Sequence, residues 1–141
     1  MRLDAFEPLI GDWTIEIEWP GQDEPIRGAT SYAWLEGGGY VVQRSTMEHP
    51  DFPNAIMVIG PAVGDRERIV QHYFDSRGIA RIYDISFDDG VLGISRDDAD
   101  FAQRYRGRIS DDGQTITGAW EICEDGATWR HDFAGTYTKV A

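Results

Sequence analysis

The chain is short of several things at once, and each shortage removes a class of function. One cysteine, Cys123, stands among 141 residues, which excludes an internal disulfide and a cysteine-based zinc cluster and leaves Cys123 as a small core or rim residue. Lysine is equally scarce. Twelve of the thirteen basic residues are Arg and Lys139 is the only Lys, so chemistry through a Schiff base in a desolvated pocket has almost nothing to work with. No apolar run approaches the roughly 20 residues that span a bilayer. The start, "MRLDAFEPLIGDW", lacks the apolar core and small-residue cleavage site of a secretion signal, and the expectation is a cytoplasmic protein without a membrane partner. Positive charge is outnumbered 25 to 13, a formal net of −12, so the average field repels phosphate backbones and nucleic acid is not an expected partner. No serine sits in a nucleophile elbow, no pair of histidines is spaced for a metal-binding helix, and no thiol–histidine pair is evident. Charge blocks, low-complexity runs and linkers are absent too, which predicts one domain over residues 1–141.

What is present is alternation. Short period-two segments follow one another, separated by Gly, Pro, Asn and Asp. "FDDGVLG", "SDDGQTI" and "CEDGATW" each place Asp-Gly between two strand-like runs, the pairing that suits the positive dihedrals of a type I′ hairpin turn. Alternation predicts strands near 12–19, 28–36, 39–48, 54–61, 67–75, 79–88, 90–96, 101–110, 114–122 and 127–139. The start differs: Leu3, Phe6, Leu9 and Ile10 approximate a helical stripe that Pro8 limits to a turn or two. About ten hairpin-linked strands predict an all-β, antiparallel up-and-down barrel, which removes sheet edges, with a short N-terminal helix capping one end.

Parity then assigns faces. Trp13, Ile15, Ile17 and Trp19 alternate with Thr14, Glu16 and Glu18, so the aromatic face is inside. Gln103, Tyr105, Gly107 and Ile109 oppose Arg104, Arg106 and Arg108, an outer arginine row suited to cross-strand ion pairs. Ile116, Gly118, Trp120 and Ile122 face in, and in the last strand Trp129, His131, Phe133 and Tyr137 share the inward parity. Ile79, Tyr83, Ile85 and Phe87 are too apolar for solvent and draw Arg81 inward with them. Two segments stay ambiguous. In "YVVQRSTMEH" either the set with Val42 and Arg44 or the set with Val41, Gln43, Ser45 and Met47 is inside, and in "QHYFD" either His72 and Phe74 or Tyr73 and Asp75. Triple Gly37–Gly39 reads as a hairpin, and Glu48, His49 and Asp51 read as a rim loop rather than a metal site.

"LIGDWTIEIEWP" resembles the Gly-x-Trp first strand of the calycins, the lipocalin and fatty-acid-binding superfamily. With "EGGGYVVQRSTMEHPDFP", "HYFDSRGIARIYDISF" and "ISDDGQTITGAWEICEDGATWRHDFAGTYTKV", nearly the whole chain resembles a group of bacterial lipocalin-like proteins of unknown function. The resemblance implies the barrel, with Trp13 packed across its floor and Arg130 as that tryptophan's basic partner. It also implies departures. Only "PGQDEPIRG" joins the first two strands, leaving no room for the helical lid of fatty-acid-binding proteins. Nitrobindin-like haem barrels also begin with Gly-x-Trp and carry their axial histidine in the last strand. Here that would make His131 the haem ligand, although the glycine-rich nitrobindin start is missing and His131 stands about one residue out of register.

The expected site is therefore the lumen. Trp120, Trp129, Phe133 and Tyr137 supply its wall; Arg44, Arg81, Tyr83, Gln103, Tyr105, His72 and His131 orient a polar head. A core built for stability alone avoids this many groups needing partners, and apolar walls with a few convergent polar groups are the makeup of a small-molecule pocket. The expected function is binding of a small, largely hydrophobic ligand without a cofactor. The alternatives are an isomerase- or cyclase-type acid–base enzyme using His131 or His72, and a haem protein. Outer faces carrying Val, Ile and Tyr could pair two subunits into a homodimer.

Overall fold

The computed structural model describes residues 3–98 and 100–140. A short helix, Leu3–Leu9, precedes ten strands: β1 Gly11–Glu18, β2 Ile26–Trp34, β3 Val41–Met47, β4 Ala55–Ala62, β5 Asp65–Asp75, β6 Ala80–Asp88, β7 Val91–Arg96, β8 Ala102–Ile109, β9 Thr115–Cys123 and β10 Arg130–Lys139. Each strand pairs antiparallel with the next, and β10 returns to β1, so the sheet closes into a barrel with no free edge. Among the described residues no helix is long and apolar enough to cross a membrane.

The N-terminal stripe has period three, and the helix it forms is a 3₁₀ helix, in which residues three apart eclipse one another. Phe6 and Leu9 thus stack on one side and are buried in one end of the barrel against Trp13. The Trp13 indole N–H donates to the Leu9 carbonyl at 2.8 Å, and the Trp34 indole N–H donates to the Glu7 carboxylate at 2.8 Å. This end is the floor. The basic partner of Trp13 is Lys139, its register neighbour on β10, with the ammonium 5.4 Å from the ring centroid. Arg130 stands at the opposite end of β10 and pairs with Glu124 instead.

Only one of the three Asp-Gly segments forms the tight type I′ turn. Asp89 and Gly90 have φ of 52° and 75° and alone join β6 to β7. The other two glycines, Gly113 and Gly126, also have positive φ, but they sit in the longer loops 110–114 and 124–129. Cross-strand pairs Arg27–Glu16, Arg68–Asp84 and Arg104–Glu121 decorate the outer face.

Parity holds along β1, where Trp13, Ile15 and Ile17 are buried and Thr14, Glu16 and Glu18 exposed. It fails in β10. His131 opposes Glu121 while Phe133 opposes Trp120, so Asp132 is one residue too many: a β-bulge that reverses the faces on its N-terminal side. Phe133 and Tyr137 point inward as expected, whereas His131 is exposed. Trp129 precedes the strand and lies outside, its ring 3.9 Å from the Arg104 guanidinium. The two ambiguous segments resolve in favour of Gln43, Ser45 and Met47 on β3 and Tyr73 and Asp75 on β5. Arg44 is exposed beside Ile56, and His72 sits on the outer face between Val58 and Ile82. Apolar Ile56, Phe74 and Ile82 on that outer face, 42%, 51% and 54% exposed, are what made the alternation unreadable there.

Candidate functional site

Between the floor and the opposite end, the mouth, the barrel encloses a cavity of about 540 Å³. That lies within the range of roughly 300–1,000 Å³ typical of small-molecule sites. Seven of the residues expected in the lumen line it: Arg81, Tyr83, Gln103, Tyr105, Trp120, Phe133 and Tyr137. Arg44, His72, Trp129 and His131 do not, for the reasons of register given above. Parity missed Gln71, and it left Gln43, Ser45 and Tyr73 undecided; all four are in the lining.

The polar lining forms two hydrogen-bonded chains. In the first, the Gln71 amide donates to the Gln43 carbonyl at 3.2 Å, the Gln43 amide donates to the Thr30 hydroxyl at 3.1 Å, and Thr30 and Ser45 hydroxyls meet at 2.7 Å. In the second, the Tyr83 hydroxyl donates to the Gln103 carbonyl at 2.9 Å and accepts from the Arg81 guanidinium at 3.5 Å. Gln71 and Tyr83 are register partners across β5 and β6, so the chains stand side by side. Arg81 also lies 5.7 Å from the Phe101 ring centroid. Among the described residues no carboxylate pairs with this half-buried guanidinium, and a cation so placed favours a ligand that accepts hydrogen bonds.

The opposite wall is aromatic. Tyr105 and Trp120 have centroids 5.4 Å apart, Trp120 and Phe133 6.3 Å, and Phe133 and Trp19 5.2 Å. At the mouth, Phe52 from the 48–54 loop meets Trp19 at 5.4 Å and Phe133 at 6.2 Å, both edge-to-face. Residues 19–25, which join β1 to β2 at the same end, form only turns and bends, with no helix.

Burial pushes four lumen phenols up: Tyr137 to about 12, and Tyr32, Tyr73 and Tyr105 also above the ordinary value. At neutral pH they are hydrogen-bond donors and not bases. Asp75, whose side chain is fully enclosed, is saturated. It accepts from the Tyr73 hydroxyl at 2.8 Å, from Arg77 Nη2 at 2.6 Å, and from the backbone N–H groups of Arg77 and Ile79. Burial pushes its carboxyl upward, but the hydrogen bonds from Arg77 and Tyr73 outweigh this and hold it well below the usual carboxylate range. His49, at the mouth, is the one histidine lining the cavity among the described residues, and its Nδ1 accepts the Asp51 N–H at 3.1 Å. His131, the residue that the resemblance offers as an axial haem ligand, projects from the outer face.

The chain matches no family model and no curated protein sequence. Among solved structures it is similar to Rv2717c from M. tuberculosis, with a TM-score of 0.64 at 14% identity, over 99% of this chain and 97% of that one. It is equally similar to fatty-acid-binding protein 1 from Echinococcus granulosus, with a TM-score of 0.64 at 17% identity, over 96% of this chain and 99% of that one. At such identities the likeness is one of fold, and the chain shares a closed antiparallel barrel, here of ten strands, with both structures.

Proposed function

We propose that the protein binds a small, largely hydrophobic molecule in its lumen. The observation that carries this reading is the 540 Å³ cavity itself, because a barrel of this size that serves only as a scaffold fills with side chains. Isoleucine, methionine and aromatic walls would desolvate the guest, while Arg81 and Gln103 would hold the polar part, with Tyr83 keeping both in place. The barrel among the structural neighbours whose name is fatty-acid-binding protein 1 accords with this. An acid–base reaction has less support: His72 and His131 were its candidate bases, and neither reaches the lumen.

Nile red, a neutral dye whose emission brightens in apolar surroundings, tests the proposal. Its fluorescence is expected to rise with saturation on the native protein and to be lost in lumen-filling variants Ala55→Trp and Met57→Trp that retain the native circular dichroism. Undiminished binding by both folded variants would place the dye elsewhere and overturn the reading.

A further inference from the structure

The lumen is polarised across its width. Gln43, Gln71, Tyr83 and Arg81, with Thr30 and Gln103 at the ends, form an arc on β2, β3, β5, β6 and β8. In the strand order of the barrel β10 lies opposite β5 and β1 opposite β6. Those opposing strands carry Phe133, Tyr137, Ile15 and Ile17, with Trp120 beside them on β9. Tyr105, two residues along β8 from Gln103, turns its hydroxyl away onto Gly107 and Gly118, and the arc meets the aromatic wall where Tyr83 packs edge-to-face on Trp120 at 6.1 Å. The polar groups are thus strung along one side of the cavity, not gathered at one end.

The arc also has spare capacity of both kinds. Gln43 uses both ends of its amide within the chain, but Gln71 donates to Gln43 and keeps its carbonyl. Gln103 accepts from Tyr83 and keeps its NH₂, and Arg81 directs one N–H to Tyr83 and keeps the others. An alkyl chain laid along this lumen would desolvate the Gln71 carbonyl and the Gln103 amide without returning a hydrogen bond to either. The mouth adds a second constraint: its loops carry Asp23, Glu24, Glu48, Asp51, Asp98 and Asp100 against Arg77, which Asp75 already pairs, so the entrance field favours a neutral guest, and Arg81 inside is left to meet a carbonyl or hydroxyl oxygen of that guest.

Building on the lumen-binding reading, we propose that the ligand is a flat, neutral, ring-containing molecule with hydroxyl and carbonyl groups along one edge. Its face lies on the Trp120–Phe133 wall and its polar edge on the Gln71–Tyr83–Gln103 arc. Trp120 and Phe133, tilted 34° from each other, offer a surface on which an extended ring system stacks. A single-headed chain would use one end of the arc and waste the rest.

Three probes separate the possibilities by calorimetry on the intact protein: quercetin, flat with a hydroxyl and carbonyl edge; pyrene, flat without one; and palmitate, a single-headed chain. Quercetin is expected to bind at least tenfold more tightly than the other two. Gln71→Leu and Gln103→Leu, one from each chain so that misfolding of either leaves the other informative, should each weaken quercetin about tenfold and leave pyrene unweakened. Palmitate binding most tightly, or quercetin indifferent to both substitutions in folded protein, would overturn the ligand class while leaving a binding lumen in place. Failure of all three probes and of Nile red would overturn the lumen reading and this inference with it.

Discussion

Tyr105 shows how a single residue is accommodated here. Its ring lies over the glycine pair Gly107 and Gly118, which are register partners on β8 and β9. A Cβ at Gly107 would come within 2.4 Å of the Tyr105 hydroxyl. One at Gly118 would meet the Arg106 carbonyl at 2.4 Å and the Gly107 Cα at 2.6 Å, and backbone cannot swing aside as a side-chain tip can. The glycines therefore make a slot for the ring, the arrangement in which an aromatic covers an otherwise weak Gly–Gly pair. Gly118→Ala should cost about 1–3 kcal/mol through overpacking, read from the denaturant midpoint. The slot provides no hydrogen bond: the Tyr105 hydroxyl is the one buried side-chain polar atom among the described residues without a partner. An unmade buried bond is unfavourable by about 1–3 kcal/mol. Tyr105→Phe is accordingly expected to leave stability unchanged or raise it by up to ~1 kcal/mol, and a clear loss in urea unfolding would mean that the hydroxyl has a partner in solution. Inward parity for Tyr105 could be read from Gln103 and Ile109 around it; the missing partner could not, because it depends on what β9 places beside the ring.

At the scale of elements, the β5–β6 turn is held by one carboxylate. Asp75 ties Tyr73, Arg77 and two backbone N–H groups together across the hairpin. Its folded-state pKa is depressed, so its contribution is complete above the unfolded value of about 3.9. That contribution is lost as pH falls below this value toward the folded one. Melting temperature should drop as pH falls from about 4 toward about 2, and Asp75→Asn should melt lower at neutral pH and show a shallower drop on acidification. An equally steep acid limb in the variant would assign the effect to other carboxylates. Strand positions were legible because most strands keep one apolar and one polar face: β1 and β8 fall where alternation puts them. The failures have particular causes. One extra residue, Asp132, inverts everything before it in β10 and carries Trp129 and His131 outside. On β5 an apolar outer residue, Phe74, gives both faces of "QHYFD" a bulky ring and conceals that Gln71 faces in.

For the whole molecule, closure of the sheet was legible from the hairpin-linked run of strands, whereas the size of the lumen was not. Side-chain volume can be summed from sequence, but the space left between opposing walls depends on register around all ten strands. Charge acts at this scale as well. With a formal net of −12 and outer ion pairs such as Arg27–Glu16, whose side chains are 64% and 53% exposed, self-repulsion outweighs pairs worth about 0–1 kcal/mol each. Raising salt from about 0.02 M to about 0.3 M shortens the screening length, and the melting temperature should rise; a fall would mean that the surface pairs dominate. The central claim, a lumen that takes a guest, is tested most directly by following the methionine methyl groups in protein labelled with ¹³C at those positions. Met57 lines the cavity and is 6% exposed. On titration with 2-naphthol, the account predicts a saturable shift of the Met57 methyl resonance. A Met57 resonance that stays in place while 2-naphthol binds elsewhere, or does not bind at all, would contradict it.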